Sequence, residues 1–206
     1  EYIIIYNIMN HYKHTSYKSI TNKNNPCTDK LTDIEYLEHM VPHHQVAIDM
    51  SNLIKPNTTN PLIKHLSRDI IRKQDYEIWE MNMMIKSLPD NISSDDVWIN
   101  EDIITTLDIY NPITSKSKKG SCNPLFFKPN DHSVHMKNMK ITDKSYLEHM
   151  IPHHQVAIDM SKRLLKHTNN NYLIHFCRKL ILDQQNEILY MNNLIKNIYN
   201  HNSELI

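Results

Sequence analysis

One stretch of this chain occurs twice. Residues 36–51 read YLEHMVPHHQVAIDMS and residues 146–161 read YLEHMIPHHQVAIDMS, identical except where Val41 becomes Ile151. The likeness continues at the same offset of 110 residues without a gap: Gln74, Glu77, Ile78, Met81, Asn82, Ile85 and Lys86 return as Gln184, Glu187, Ile188, Met191, Asn192, Ile195 and Lys196. His65 and Arg68 return as His175 and Arg178. Whatever one copy folds into, the other is expected to fold into as well.

Each copy reads as two helices. Thr32-Asp33-Ile34-Glu35 fits the reciprocal capping box, in which Thr and Glu satisfy two otherwise unpaired amides, and predicts a helix from Thr32 to about Lys55, ahead of the breaker cluster PNTTNP. Pro42 inside that run removes one backbone bond and predicts a kink or a fresh helix start. A second helix is predicted over 61–88, with Pro61 in the first turn, Pro89 past the end, and Ile63, Leu66, Ile70, Ile71, Ile78, Met81 and Ile85 at helical steps. So short a connector forces an antiparallel hairpin. In the second copy the helices fall at about 142–167 and 171–199. Two amphipathic hairpins docked about a pseudo-twofold axis give an all-α four-helix bundle joined by a long crossover. The single Gly argues against a β-rich fold, which needs many tight turns.

The expected organisation is an N-terminal arm (1–30), one four-helix domain (31–199) and a C-terminal tail (200–206). Within the domain, repeat one covers 31–88, the crossover 89–141 and repeat two 142–199. The opening EYIIIYNIM is too short to span a bilayer and reads as the remnant of a trimmed signal or anchor segment, or as an apolar arm packed on the core. The crossover ends in a second His/Met cluster, with His132, His135, Met136 and Met139 as additional ligand candidates; a solvated linker is the alternative reading. Cys27 and Cys122 lie in loop-like segments and leave one disulfide open, while no C-x-x-C pair supports a zinc-finger or thioredoxin reading. Lys+Arg and Asp+Glu balance at 23 each, which excludes the basic field that nucleic acid or acidic membranes need.

On a helix advancing about 100° per residue, Tyr36, His39, Met40, His43, Ala47 and Met50 share roughly one third of the circumference, with His44 at its edge. His39 and His43 then stack one turn apart and can hold one ion together. His149, Met150, His153, His154 and Met160 repeat the pattern. The second helices face the motif with Gln74, Glu77 and Met81, and with Gln184, Glu187 and Met191; Met81 and Met191 are ligand candidates, and the Gln and Glu residues stand behind the ligands. Cys177, in the place of Ser67, shares that inward face as a further soft-ligand candidate. Imidazole with thioether favours copper, silver as its mimic, and zinc less well. The Glu-x-x-His pairs of di-iron bundles, the His-Glu-x-x-His of zinc proteases and Gly-rich phosphate loops are all absent.

Met40-Val41-Pro42-His43-His44-Gln45 with Ala47 and Met50, followed by Gln74-x-x-Glu77-Ile78-x-x-Met81, resembles the domain-of-unknown-function family 305, and the second copy through Met191 matches it too. The resemblance covers about 31–88 and 141–199. It implies a ferritin-like bundle of two such hairpins, a secreted, periplasm-like or lumenal setting, and kinship with copper-binding resistance proteins. It supports His39, Met40, His43, His44, Met50, Met81 and their second-copy counterparts as metal ligands. Val46 and Val156 depart from the small residue common in the family, and Met84 or Ile85 and Leu194 or Ile195 stand where a Trp is often found.

The leading expectation is a non-enzymatic protein that buffers, stores or confers resistance to copper. Its partners would be the ion, a copper-transfer protein or a second copy of the chain. The alternatives are a structural or interaction bundle that keeps the motif as polar core, and a copper-dependent redox enzyme.

Overall fold

The computed structural model describes residues 31–88, 124–138 and 140–200. Helix α1 spans Asp33–Ile54 and α2 spans Pro61–Ser87. A 3-10 turn at Pro124–Phe127 and helix α3 (Pro129–Asn138) precede α4 (Asp143–Leu164) and α5 (Asn171–Asn200). No strand occurs among the described residues. The expectations for the arm, for the disulfide between Cys27 and Cys122, for Met139 and for the tail beyond residue 200 fall outside the described residues.

The predicted starts are met by the predicted chemistry. Thr32 Oγ1 accepts from the Glu35 amide at 3.2 Å while the Glu35 carboxylate accepts from the Thr32 amide at 2.9 Å. In the second copy Ser145 takes the place of Glu35 and completes the same box with Thr142. Each hairpin then turns in the same way. The amides of Thr58 and Thr168 reach back to the carbonyls of Ile54 and Leu164, each at 3.0 Å. Asn60 and Asn170 cap the following helix by accepting from the amides of Leu62 and Tyr172, both at 2.9 Å. This turn closes α4 at Leu164, short of the predicted end near 167.

Pro42 and Pro152 lie inside unbroken helices, so the fresh start expected at proline does not occur. Magnitudes explain why. An interior proline costs about 3 kcal/mol. Against that, α1 buries Tyr36, Leu37, Met40, Val46, Met50 and Ile54, and each fully buried large apolar side chain contributes about 1.5–3 kcal/mol.

The motif helices α1 and α4 pack on each other, and each also packs on the second helix of its own hairpin. Two hydrogen bonds related by the repeat pin the hairpins together: Tyr36 Oη with Ser161 Oγ at 2.7 Å, and Tyr146 Oη with Ser51 Oγ at 2.8 Å. His167 Nε2–H adds a third by donating to the Leu31 carbonyl at 2.6 Å. The core is continuous across the bundle, from Leu37, Met40 and Ile63 to Leu147, Met150 and Ile181. No helix among the described residues is long and apolar enough to cross a membrane.

Candidate metal centre

Where α1 and α4 cross, the rings of His43 and His153 stack face to face, with centroids 3.7 Å apart and planes 11° apart. His43 Nε2–H donates to the His153 carbonyl at 3.1 Å, and His153 Nε2–H donates to the His43 carbonyl at 3.0 Å. Those two bonds fix the tautomer. The proton sits on Nε2, and Nδ1 carries a bare lone pair. The pairing across repeats, rather than the predicted stacking of His39 on His43 along one helix, is the centre's main axis.

His44 and His154, expected at the edge of the inward sector, are fully buried and turn toward their own hairpin's second helix. His44 Nε2–H donates to Glu77 Oε2 at 3.0 Å and His154 Nε2–H to Glu187 Oε2 at 2.7 Å. His39 and His149 take the opposite tautomer: each Nδ1–H donates to a carbonyl one turn earlier, Glu35 at 2.6 Å and Ser145 at 2.8 Å. All six motif histidines thus have one ring nitrogen committed to a carbonyl or carboxylate. The other ring nitrogen of five of them (Nδ1 of His43, His44, His153 and His154, and Nε2 of His39) is buried and finds no hydrogen-bond partner among the described residues.

Burial, and after it the nearby charge of the other histidines, holds His43 and His153 well below the ordinary histidine range. Both are neutral at physiological pH, so no proton has to leave before the lone pair can be used. Glu77 and Glu187 stay ionised in spite of burial. Desolvation alone would raise their pKa, but the bonds from His44 and His154 and the ammonium groups of Lys179 and Lys73 outweigh it and lower both.

The methionines line the same faces. Met40, Met50, Met81, Met150, Met160 and Met191 are all buried in the core. Met40 precedes His43 and His44 by three and four residues, and Met150 does the same for His153 and His154, so each sulfur shares a helical stripe with two imidazoles. Gln74 and Gln184 are buried, with both amide atoms lacking a partner among the described residues.

The crossover contributes more than a linker. Helix α3 buries His132 and Met136 against α1 and leaves His135 exposed. His132 keeps a buried, unpartnered Nδ1, and burial, with the charges of His149 and His135, lowers its pKa to about 4. Phe127 lies 5.0 Å from the His43 ring and Phe126 lies 5.0 Å from the His153 ring, closing the histidine pair from solvent. Sequence reading missed both rings. Their signal was present: Pro124-Leu125-Phe126-Phe127 is an apolar quartet flanked by the polar runs 114–123 and 128–133, and Pro129 opens a helix with His132 and Met136 one turn apart.

Cys177 is buried in company with the Tyr36 and Ser161 hydroxyls. Burial pushes its thiol up to about 12 against the hydrogen bonds that lower it, so it is a protonated, polar-contacted core side chain. Among the described residues no three His, Cys, Asp or Glu side chains converge tightly enough to enclose an ion by themselves. A metal held here would take only two such ligands or draw on thioether sulfur as well.

Known proteins agree with the fold. "Uncharacterized protein L153" of Acanthamoeba polyphaga mimivirus is 47% identical over 55 residues, 27% of this chain and 36% of that protein's length. The solved structure of CopM in its Ag-bound form superposes with a TM-score of 0.55 at 26% identity, covering 83% of this chain and 99% of that one. CopM in its Cu(I)-bound form gives a TM-score of 0.54 at 26% identity, covering 82% and 99%. The sequence profile described as "Domain of unknown function (DUF305)" matches residues 33–195, and this chain belongs to that family.

Proposed function

We propose that the protein binds copper as cargo, Cu(I) foremost, and buffers, stores or confers resistance to it without catalysing a reaction. The observation that carries this reading is the set of five buried, unpartnered imidazole nitrogens, each opposite a nitrogen anchored to a carbonyl or carboxylate. Metal-ligating histidines characteristically donate their other N–H to such an acceptor, which fixes the ring and raises its basicity. Neutral imidazole and thioether sulfur suit a soft ion of low coordination number. The ligand set is His39, Met40, His43, His44, Met50 and Met81 with His149, Met150, His153, His154, Met160 and Met191; His132, His135 and Met136 of α3 are further candidates, as is Met139 by its place in the sequence. The likeness to CopM in silver- and copper-bound forms supports the same choice of ion. On this reading residues 31–199 act as one domain, zinc is a poorer cargo, and a copper-transfer protein or a second copy of the chain is the partner. A secreted, periplasm-like or lumenal setting follows from the family resemblance.

A second reading has its own observation. The His43–His153 stack, with its paired carbonyl bonds, ties α1 to α4 without any metal, as a structural bundle would. Titration with Cu(I) against a competing chelator separates the two. The parent should bind, and a variant with His39, His43, His149 and His153 changed to Ala should lose most of its affinity. Bound copper at about 1,000 times the dissociation constant should also stabilise the parent by ~4 kcal/mol in a thermal melt. Equal affinity in both proteins would sink the ligand assignment, and a melt indifferent to Cu(I) would favour the structural bundle.

A further inference from the structure

Glu77 and Glu187 are the carboxylates this bundle could offer to a hard cation, one from each hairpin and both buried. Each of their oxygens is already engaged. Glu77 Oε2 accepts from His44 at 3.0 Å and Oε1 from Lys179 Nζ at 3.2 Å. Glu187 Oε2 accepts from His154 at 2.7 Å and Oε1 from Lys73 Nζ at 2.7 Å. In both cases the histidine comes from the same hairpin and the lysine from the opposite one, so the two repeats cross-brace each other's carboxylate.

The duplication does not supply this arrangement automatically. The residue equivalent to Lys73 is Asp183, and the residue equivalent to Lys179 is Asp69. The two acid–base pairs, Asp69 with Lys73 and Lys179 with Asp183, therefore run in opposite order along α2 and α5. Their lysines stand one turn apart in repeat coordinates, yet both ammonium groups end on the opposite glutamate. The contact has been kept while the positions that make it have changed.

Its chemical effect follows from charge. A buried carboxylate beside neutral imidazoles attracts a divalent ion about twice as strongly as a monovalent one at equal distance, because Coulomb energy scales with the product of charges. An ammonium on one oxygen cancels that charge and occupies the lone pair a hard ion would take. A soft monovalent ion held by imidazole and thioether has no use for either.

We propose that Lys73 and Lys179 are the selectivity residues of this centre: by holding Oε1 of Glu187 and Glu77 they keep both carboxylates out of the ligand set, so the bundle favours a soft monovalent ion over hard divalent ones. The inference rests on the copper reading above, and its test can fail separately from it. The full chain and its K73M/K179M and K73R/K179R variants would be titrated with Co(II), followed by visible absorption, and in parallel with Cu(I) against a chelator.

The Met variant should bind Co(II) at least ~10-fold more tightly than the parent, the scale on which a metal's outer partners act, with a smaller gain for Cu(I), so that the preference between the two ions shifts toward Co(II). The Arg variant, which keeps the charge, should match the parent. A folded Met variant with parental Co(II) affinity overturns the proposal, as does an Arg variant that gains as much. Should the double Met variant not fold, K73M and K179M singly decide the point, since each frees one glutamate and leaves the other braced. A parent that ignores Cu(I) would remove the copper reading, while the Co(II) comparison would still decide what the lysines do.

Discussion

Metal-free protein is expected to lose stability steeply once the pH falls below about 6.5. The cause is the buried pair His43 and His153, whose pKa values are lowered well below 6.5, first by burial and then by neighbouring histidines. Below 6.5 the unfolded chain takes up protons that the folded chain refuses. The unfolded state then binds more protons, so stability rises with pH; it is fully present above 6.5 and is lost as pH falls. Each refused proton contributes ~1.4 kcal/mol per pH unit, and two give ~2.7 kcal/mol per unit at the steepest. His132 adds to the loss in the same direction as the pH falls from 6.5 toward about 4. Glu77 and Glu187, lowered from 4.5, add theirs only below that value.

Urea midpoints measured in the presence of a chelator from about pH 7.5 to 4.5 would show the slope. Replacing both stacked histidines, as in H43F/H153F, should flatten its upper part. A parent midpoint that stays level between pH 7 and 5 would show that the rings are solvated or protonated in the folded state. The same linkage couples pH to the cargo, because a proton and a metal ion compete for one Nδ1 lone pair.

The fold was largely legible because its signals are local. Thr32 with Glu35, Pro61 after Asn60 and the breakers PNTTNP act within a few residues, and the offset of 110 carries each of them into the second hairpin. Face assignment on a helical wheel was legible for the same reason: His39, His43 and Met50 are buried as their angles require. What lies across a face is not local. The wheel puts His43 and His44 about 100° apart, and only packing decides that one meets the opposite repeat and the other its own hairpin. The fresh start that Pro42 suggested does not occur, because the cost of the proline is local while the burial that overrides it is tertiary. Helix α3 was obscured by polar composition: Asp131, Lys137 and Asn138 face outward around two buried residues, too few to impose a period. Lys73 and Lys179 carried almost no signal, since at equivalent positions the two repeats have opposite charges.

Truncating both glutamates should be far more damaging than neutralising them. In E77A/E187A the Nε2–H groups of His44 and His154 are left buried without an acceptor, and an unsatisfied buried donor costs about 1–3 kcal/mol. Lys73 and Lys179 are partly exposed, so they rehydrate and add little. The two sites together cost about 2–6 kcal/mol, a large share of the 5–15 kcal/mol typical of a domain. In E77Q/E187Q an amide oxygen still accepts from each histidine, so the loss of stability should be less than half as large. Copper affinity should behave otherwise. A neutral acceptor leaves the imidazole less basic than a carboxylate does, and loss of such an outer partner typically weakens metal binding by about 10–100-fold. The Gln variant is therefore expected to keep its fold and lose much of its Cu(I) affinity, read by denaturant midpoint and chelator competition on the same sample. If Gln and Ala destabilise equally, the histidine bonds contribute nothing beyond charge. If the Gln variant binds Cu(I) as the parent does, the glutamates are bracing for the bundle, and the basicity of the imidazoles does not depend on them.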